Sequence, residues 1–480
     1  MEFYLGIIFC GALTFAWRIL LSRYRQNDLD VTSDTTVHFY FIKALSGNLW
    51  QYCVKNEKRF LIAGDYIYPQ LFHKIMAVIL GNQRCFAARK YVNPVFDAMF
   101  NMYLFAFTFM VIEQTPLAGK SVIISFAVSV LYIFSPLLFF FEARMANFGE
   151  RVFSYALAMM SIMLTVLYLE KVSISYFLLI VFLNTIIILS SQFSFQAILF
   201  FQLGISLLTQ NLIPFITLLV AFTLSFCLRP RGMVAYLKGK IDHFRWYYQS
   251  LANKTRSLDY IYKDYWRKML VYGLVYFLLP VIAIFGDPLH LVNQPMFYTM
   301  FRYIIISWVF FFLTYSPLMK PMGEAHRYLE YSYPFALIIF VYACFLSRLW
   351  LLMGILLAVN LLSTLHHVLT INFTVNDPDE LDSLIQFAQK HQDKRILPIP
   401  LKLSFFLAIH LDNPIVSSAQ PSHIDKRVVK SYGIFISDFE KINSIYPFDW
   451  IVLRKSEVPS SDFSGRRVIF QNSSYIIYEM

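Results

Sequence analysis

Residues 3–39, "FYLGIIFCGALTFAWRILLSRYRQNDLDVTSDTTVHF", pass from one physical regime to another. The first part, Phe3 to Leu21, is apolar and about as long as a helix must be to cross the hydrocarbon of a bilayer. It carries neither a basic leader nor a clear small-residue cleavage site, so it reads as a retained helix rather than a cleaved signal. The second part is polar and holds three carboxylates, Asp28, Asp30 and Asp34, with His38 one helical turn beyond the last. Reactive side-chain types gathered where a chain leaves a membrane raise the question of function. The rest of the sequence has to weigh it.

Composition confirms the membrane reading. Of 480 residues 58% are hydrophobic and 15% charged, whereas soluble domains run nearer a quarter charged. Mean hydropathy is +0.55. Apolar runs near 3–22, 94–113, 121–141, 151–169, 174–190, 194–209, 211–228, 269–286, 297–316, 331–346 and 349–367 predict an α-helical polytopic membrane protein with about eleven spans. The run "QLFHKIMAVILG", 70–81, is too short to span, and His73 and Lys74 suit a helix lying at the interface. After residue 371 the character changes. A capped amphipathic helix around Asp377 and Pro378 is followed by the β-like runs "RILPI", "PIVSS", "DWIVLR", "RRVIF" and "YIIYEM", which predict a small α/β domain outside the bilayer. The division is therefore 1–371, with an external loop 23–93 and a basic aromatic loop 229–268, and 372–480.

The formal charge of +11 is concentrated in loops, which favours anionic headgroups and phosphate-bearing substrates as partners. No nucleic-acid module carries that charge, so nucleic acid is not expected. Five cysteines lie without metal-ligand spacing and say little about redox compartment.

Four segments carry chemistry. Asp34 and His38 are neighbours at i, i+4 on a helix that Ser33 or Asp34 caps. They read either as a cap with an interfacial histidine or as a general base beside its partner. In "FLIAGDYIYPQLFHK", 60–74, Pro69 suits a helix start. In "FFFEARMANFGER", 139–151, Glu142, Arg144, Glu150 and Arg151 interrupt a lipid-like stretch; charges at membrane depth cost about 2.5–3.5 kcal/mol each, so they lie at an edge or face a cavity. In "GEAHRYLEYSYP", 323–334, Arg327 and Tyr328 precede a span, either as interface anchors or as a bidentate phosphate partner.

Taken together the first two segments resemble the first external loop of the GT-C glycosyltransferases. Asp34, His38 and Phe39 match the Asp-Glu-x-His-Phe-like element of protein O-mannosyltransferases, with Thr35 in the place of Glu. Tyr68, Pro69 and Leu71 match the aromatic-Pro-x-Leu element that follows. Aminoarabinose transferases and oligosaccharyltransferase catalytic subunits share the Asp near the end of the first span. Bacterial members often end in a small external domain, as "FDWIVLRKS…YIIYEM" suggests here. The resemblance implies transfer of a sugar from a polyprenyl-phosphate or pyrophosphate donor to a lipid, glycan or protein acceptor on the external face of a bacterial plasma membrane. It implies Asp34 as base, with Glu142 orienting the acceptor or a metal. His38, Tyr68, His73, Arg144, Arg327 and Tyr328 would be substrate-binding. The family divides over a divalent metal ion, so none is assigned.

Two readings compete with this one: a transporter or flippase for a lipid-linked sugar, and a glycan polymerase or ligase. Transporters place polar groups at mid-membrane on broken, repeated helices. Here the polar clusters lie at span edges, which favours an enzyme. The orientation implied by the resemblance puts the most basic loops outside, against the positive-inside tendency.

Overall fold

With no water in the hydrocarbon to accept or donate hydrogen bonds, an apolar stretch must satisfy its own backbone, and so it coils. The computed structural model describes residues 1–23, 34–46, 60–62, 69–136, 148–246, 273–285, 294–316, 319, 322, 325–370, 378–400, 403–417, 439–455, 463 and 465–480. Each of the eleven apolar stretches holds a helix. These are α1 (Glu2–Arg23), α3 (Leu71–Ile112), α4 (Ser121–Ile133), α5 (Glu150–Glu170), α6 (Ile174–Ser190), α7 (Gln192–Thr209), α8 (Ile213–Leu228), α10 (Leu274–Phe285), α11 (Pro295–Tyr315), α12 (His326–Leu346) and α13 (Trp350–Thr370). Between them come α2 (Asp34–Ser46) and α9 (Pro230–Trp246). By length and hydropathy six described helices are able to cross a membrane, and a seventh if α8 and the start of α9 are one broken span. α12 is the most enclosed, packed against α4, α10 and α11.

Two breaks shape the end of the bundle where the site lies. Gly81 takes φ 60°, a left-handed conformation that only glycine adopts readily, and it separates a short helix at Leu71–Gly81 from the span at Lys90–Ile112. Reading 70–81 as too short to cross therefore agrees with the structure. At Arg229 the chain turns by 115° between α8 and α9, Pro230 opening the new helix.

Below the site, α1, α3 and α4 are tied by buried polar contacts. Arg18 Nε meets Asp97 at 2.6 Å, Arg18 Nη1 donates to the Ile133 carbonyl at 3.0 Å, and Tyr132 donates to Asp97 at 2.7 Å.

The last part of the chain contains α14 (Pro378–Gln389), β1 (Ile396–Ile399), α15 (Leu403–His410), α16 (Phe439–Ile445), β2 (Trp450–Arg454), β3 (Val468–Gln471) and β4 (Tyr475–Glu479). The strands form one mixed sheet, order β1-β2-β4-β3. β1 and β2 run parallel with Ile396 opposite Trp450, and β2 and β4 antiparallel with Trp450 opposite Glu479. Alternation along the strands sorts side chains between two cores. Ile396, Trp450, Val452 and Ile477 pack with α14, α15 and α2, while Leu397, Ile451, Leu453 and Ile476 pack with Phe448 and Phe463. "PIVSS" is not a strand: Ile415 makes isolated bridges to Ile396 and Phe60. Pro414 lacks the N–H with which a strand would continue upstream. Asp377, expected at the helix start, lies outside the described residues, and α14 begins at Pro378.

Candidate functional site

α2 positions the site through both of its faces. On one face Thr35 accepts the Phe148 N–H at 3.0 Å, and the Phe148 ring stacks on Phe39 and leans on Phe72. These contacts bring residues 148–150, which open α5, against His38. His38 Nδ1 lies 2.8 Å from His73 Nε2, and His38 Nε2 lies 3.2 Å from a Glu150 carboxylate oxygen. The two imidazoles stack at 5.1 Å. Gly149 makes the approach possible, since a Cβ there would stand 2.6 Å from His38 Nε2.

Burial decides the electrostatics. His73 is fully buried, and burial followed by the nearby His38 pushes its imidazole well below the usual histidine range. With His73 neutral, its Nε2–H donates to His38 Nδ1, and His38 Nε2 faces the Glu150 carboxylate at 3.2 Å.

The same three side chains offer ligand atoms all within 4.8 Å of one another. Two imidazoles and a carboxylate are a donor set suited to a divalent transition metal. A neutral His73 can bind a cation without first releasing a proton. The residues thus fit a metal ion.

A second polar path crosses the same end of the bundle. Ser154, one turn along α5 from Glu150, accepts from Ser194 at 2.8 Å, and Ser194 meets Tyr331 at 3.0 Å. One turn before Tyr331, Arg327 lies over the Phe193 ring at 4.9 Å. Tyr328 is buried and meets Gln196 Nε2 at 2.5 Å, and Lys240 of α9 donates to Gln196 Oε1 at 3.1 Å.

The expected residues fall as follows. His38 and His73 are brought together. Arg327 and Tyr328 open α12 at the same end, and among the described residues the serine path runs between them and the cluster. Asp34 is the first residue of α2, one turn before His38, but its side chain lies outside the described residues, as do Tyr68, Glu142 and Arg144 altogether. The sequence reading passed over Glu150 as a ligand, Gln196 and Lys240. Glu150 stood in the same charged run as Glu142, and the Gly-Glu pair at a helix start was its only local signal.

No family model matches the chain, and no curated protein matches it. Solved structures do. An oligosaccharyltransferase from Archaeoglobus fulgidus, tethered to an acceptor peptide containing the NVT sequon, aligns with TM-score 0.58 and 9% identity over 96% of this chain and 70% of its own. The same protein in its apo form gives TM-score 0.58 at 8% identity. ArnT from Cupriavidus metallidurans, bound to undecaprenyl phosphate, aligns with TM-score 0.51 and 8% identity over 98% of this chain and 97% of that one. The chain has the fold of these proteins, and its long apolar helices support an integral membrane protein.

Proposed function

We propose that the chain is a GT-C glycosyltransferase that moves a sugar from a polyprenyl-phosphate or pyrophosphate carrier to a lipid, glycan or protein acceptor at the external membrane face. The observation that carries the reading is the His38–His73–Glu150 cluster at the bundle end, with His73 and Glu150 buried, in a chain that follows a transferase fold along nearly its whole length. Asp34 takes the acceptor proton from its place one turn before His38, and Glu142 keeps the role of orienting the acceptor or a metal. A divalent ion held by His38, His73 and Glu150 would supply positive charge beside the donor phosphate, where charge develops as the sugar departs. The residues themselves hold the two imidazoles against one another and beside the Glu150 carboxylate. Arg327, restrained on Phe193, offsets phosphate charge at the far side.

An apolar cavity of about 670 Å³ between α10, α11 and α12 gives the reading further support. Tyr276, at one end of it, donates to the Leu329 carbonyl at 2.5 Å, two residues from Arg327. Leu279, Phe301, Ile305, Trp308 and Phe312 line the rest, a surface for an isoprenoid chain.

The test is transfer from a synthetic polyprenyl-phosphate sugar by the purified full chain. Asp34→Asn is expected to lower turnover by about two to four orders of magnitude while expression is kept, and Asp28→Asn and Asp30→Asn to do much less. Glu150→Gln and His73→Gln are expected to lower bound divalent metal, read by mass spectrometry of the desalted protein, together with turnover. Transfer at near wild-type rate by the Asp34 variant would leave that residue a helix cap only.

A further inference from the structure

The first turn of α12 carries Arg327 and Tyr328, yet its own sequence supplies no cap. Ala325, at the N-terminal boundary, has no side-chain acceptor for the open N–H groups of the helix start. The turn is therefore held from outside, and the opening of α7 holds it. Phe193 lies against the Arg327 guanidinium at 4.9 Å and against the Tyr328 ring at 5.4 Å. Phe200 and Phe310 bound the same tyrosine ring at 6.0 and 5.8 Å.

Ring contacts are broad in direction, whereas hydrogen bonds fix a position. Gln196, one turn on from Phe193 and 5% exposed, supplies them with both ends of its amide. Its Nε2 donates to the Met322 carbonyl and to the Tyr328 hydroxyl, both at 2.5 Å, and that hydroxyl donates in turn to the Met322 carbonyl at 2.9 Å. The three contacts close a ring that pins Tyr328 to the chain six residues before it.

The nitrogen and oxygen of an amide are close in shape, so the surroundings decide which way round it lies. Lys240 of α9 decides it here, donating to Gln196 Oε1 at 3.1 Å. An ammonium is a donor only. Turned over, the amide would set its NH₂ against that ammonium and its oxygen against the Met322 carbonyl, two like contacts at once. The reach of Lys240 is set from the same turn of α7, since Tyr236, one turn earlier on α9, has its ring 6.4 Å from Phe195.

We propose that Gln196 and Lys240 are positioning residues for Arg327: Gln196 sets the first turn of α12, and Lys240 sets the orientation of Gln196. The consequence for the donor rests on the transfer reading above, in which Arg327 offsets phosphate charge. The mechanical part does not. α9, an element of the basic aromatic loop, thereby takes part in donor binding through contacts with protein alone.

The test uses the full chain in a neutral detergent with two readouts, hydrogen exchange of residues 325–331 with α5 as internal control, and titration with a polyprenyl-phosphate sugar. Lys240→Met and Gln196→Leu are each expected to speed exchange at 325–331 roughly tenfold and to leave α5 within about twofold. Each is expected to weaken donor binding roughly fivefold to tenfold. Lys240→Arg keeps a donor for Oε1 and is expected to restore both readouts to within about twofold of wild type. The double variant is expected to be no worse than Gln196→Leu, since the two residues act through one contact. Exchange in Lys240→Met that stays near wild type at 325–331, or that rises equally in α5, overturns the proposal. So does faster exchange with donor affinity unchanged, or Lys240→Arg no better than Lys240→Met. Should Gln196→Leu fail to fold, the two Lys240 variants decide alone, their side chain being half-buried. Faster exchange and weaker donor binding in a chain that transfers no sugar would refute the transfer reading and leave the positioning standing.

Discussion

At Gly149 a single hydrogen in place of a side chain sets how near Glu150 comes to His38. Its φ of 176° is extended backbone that any residue adopts, so a substitution there acts through contact and not through strain. Gly149→Ala would put a methyl group 2.6 Å from His38 Nε2 and push the imidazole off the Glu150 carboxylate. The expected outcome is a large loss of metal binding and of transfer with a melting temperature within a few degrees of wild type, measured on the same preparation. An unchanged metal content would mean that His38 does not serve as a ligand. The residues of this cluster were unequally legible in the sequence. His38 and His73 were singled out because each sits in a short recognisable pattern. Glu150 was not chosen over Glu142, because side chains 112 residues apart meet only through the packing of Phe148 between Phe39 and Phe72.

Among the elements, periodicity and length told where helices form and nothing about their ties. Each apolar run holds a helix, since in lipid the backbone admits few alternatives. Yet by length and hydropathy six of the described helices, or seven with the bent pair, are able to cross a membrane where about eleven spans were expected. The start of α12 came earlier than expected because "HRYLEY" is polar by composition yet buried by its neighbours. The Arg18–Asp97 pair was also invisible, each charge looking in isolation like an intrusion into an apolar run. In the structure it is the joint of α1, α3 and α4, with both side chains at most 3% exposed. Removing one partner strands a buried charge, at a cost of about 3–5 kcal/mol, whereas removing both with apolar residues of similar volume is often close to neutral. Asp97→Ala is therefore expected to lower thermal stability in detergent sharply, and Arg18→Met with Asp97→Leu to recover most of it. A double variant no better than Asp97→Ala would mean that the Tyr132 and Ile133 contacts, not the ion pair, hold the joint.

Across the whole molecule, α2 is the piece that joins the two ends of the sequence. The helix that presents His38 to Glu150 buries Tyr40, Phe41 and Leu45 among Leu384, Leu403 and Phe405, and Lys43 Nζ caps the Ile409 carbonyl at 2.7 Å. Leu61 and Ile62 donate to the Ile415 and Ser417 carbonyls at 2.9 and 3.1 Å, fastening the same loop again. The C-terminal part of the chain thus lies on the same side as His38, His73, Glu150, Arg229 and Arg327, and α1 runs from the opposite side toward them. This geometry ties orientation to function. If transfer occurs on the external face, the N-terminal end of α1 is cytoplasmic and residue 480 is external. The charge distribution argues the other way, since ten Lys or Arg stand against three Asp between residues 229 and 268 and basic loops usually remain inside. That tendency is statistical, and the transfer reading is set against it. An alkaline phosphatase fused after Met480 is therefore expected to be active in cells, and one fused after Glu113, at the opposite end of α3, inactive. The reverse pattern would place the His38 cluster in the cytoplasm, and would remove external transfer without disturbing the metal site.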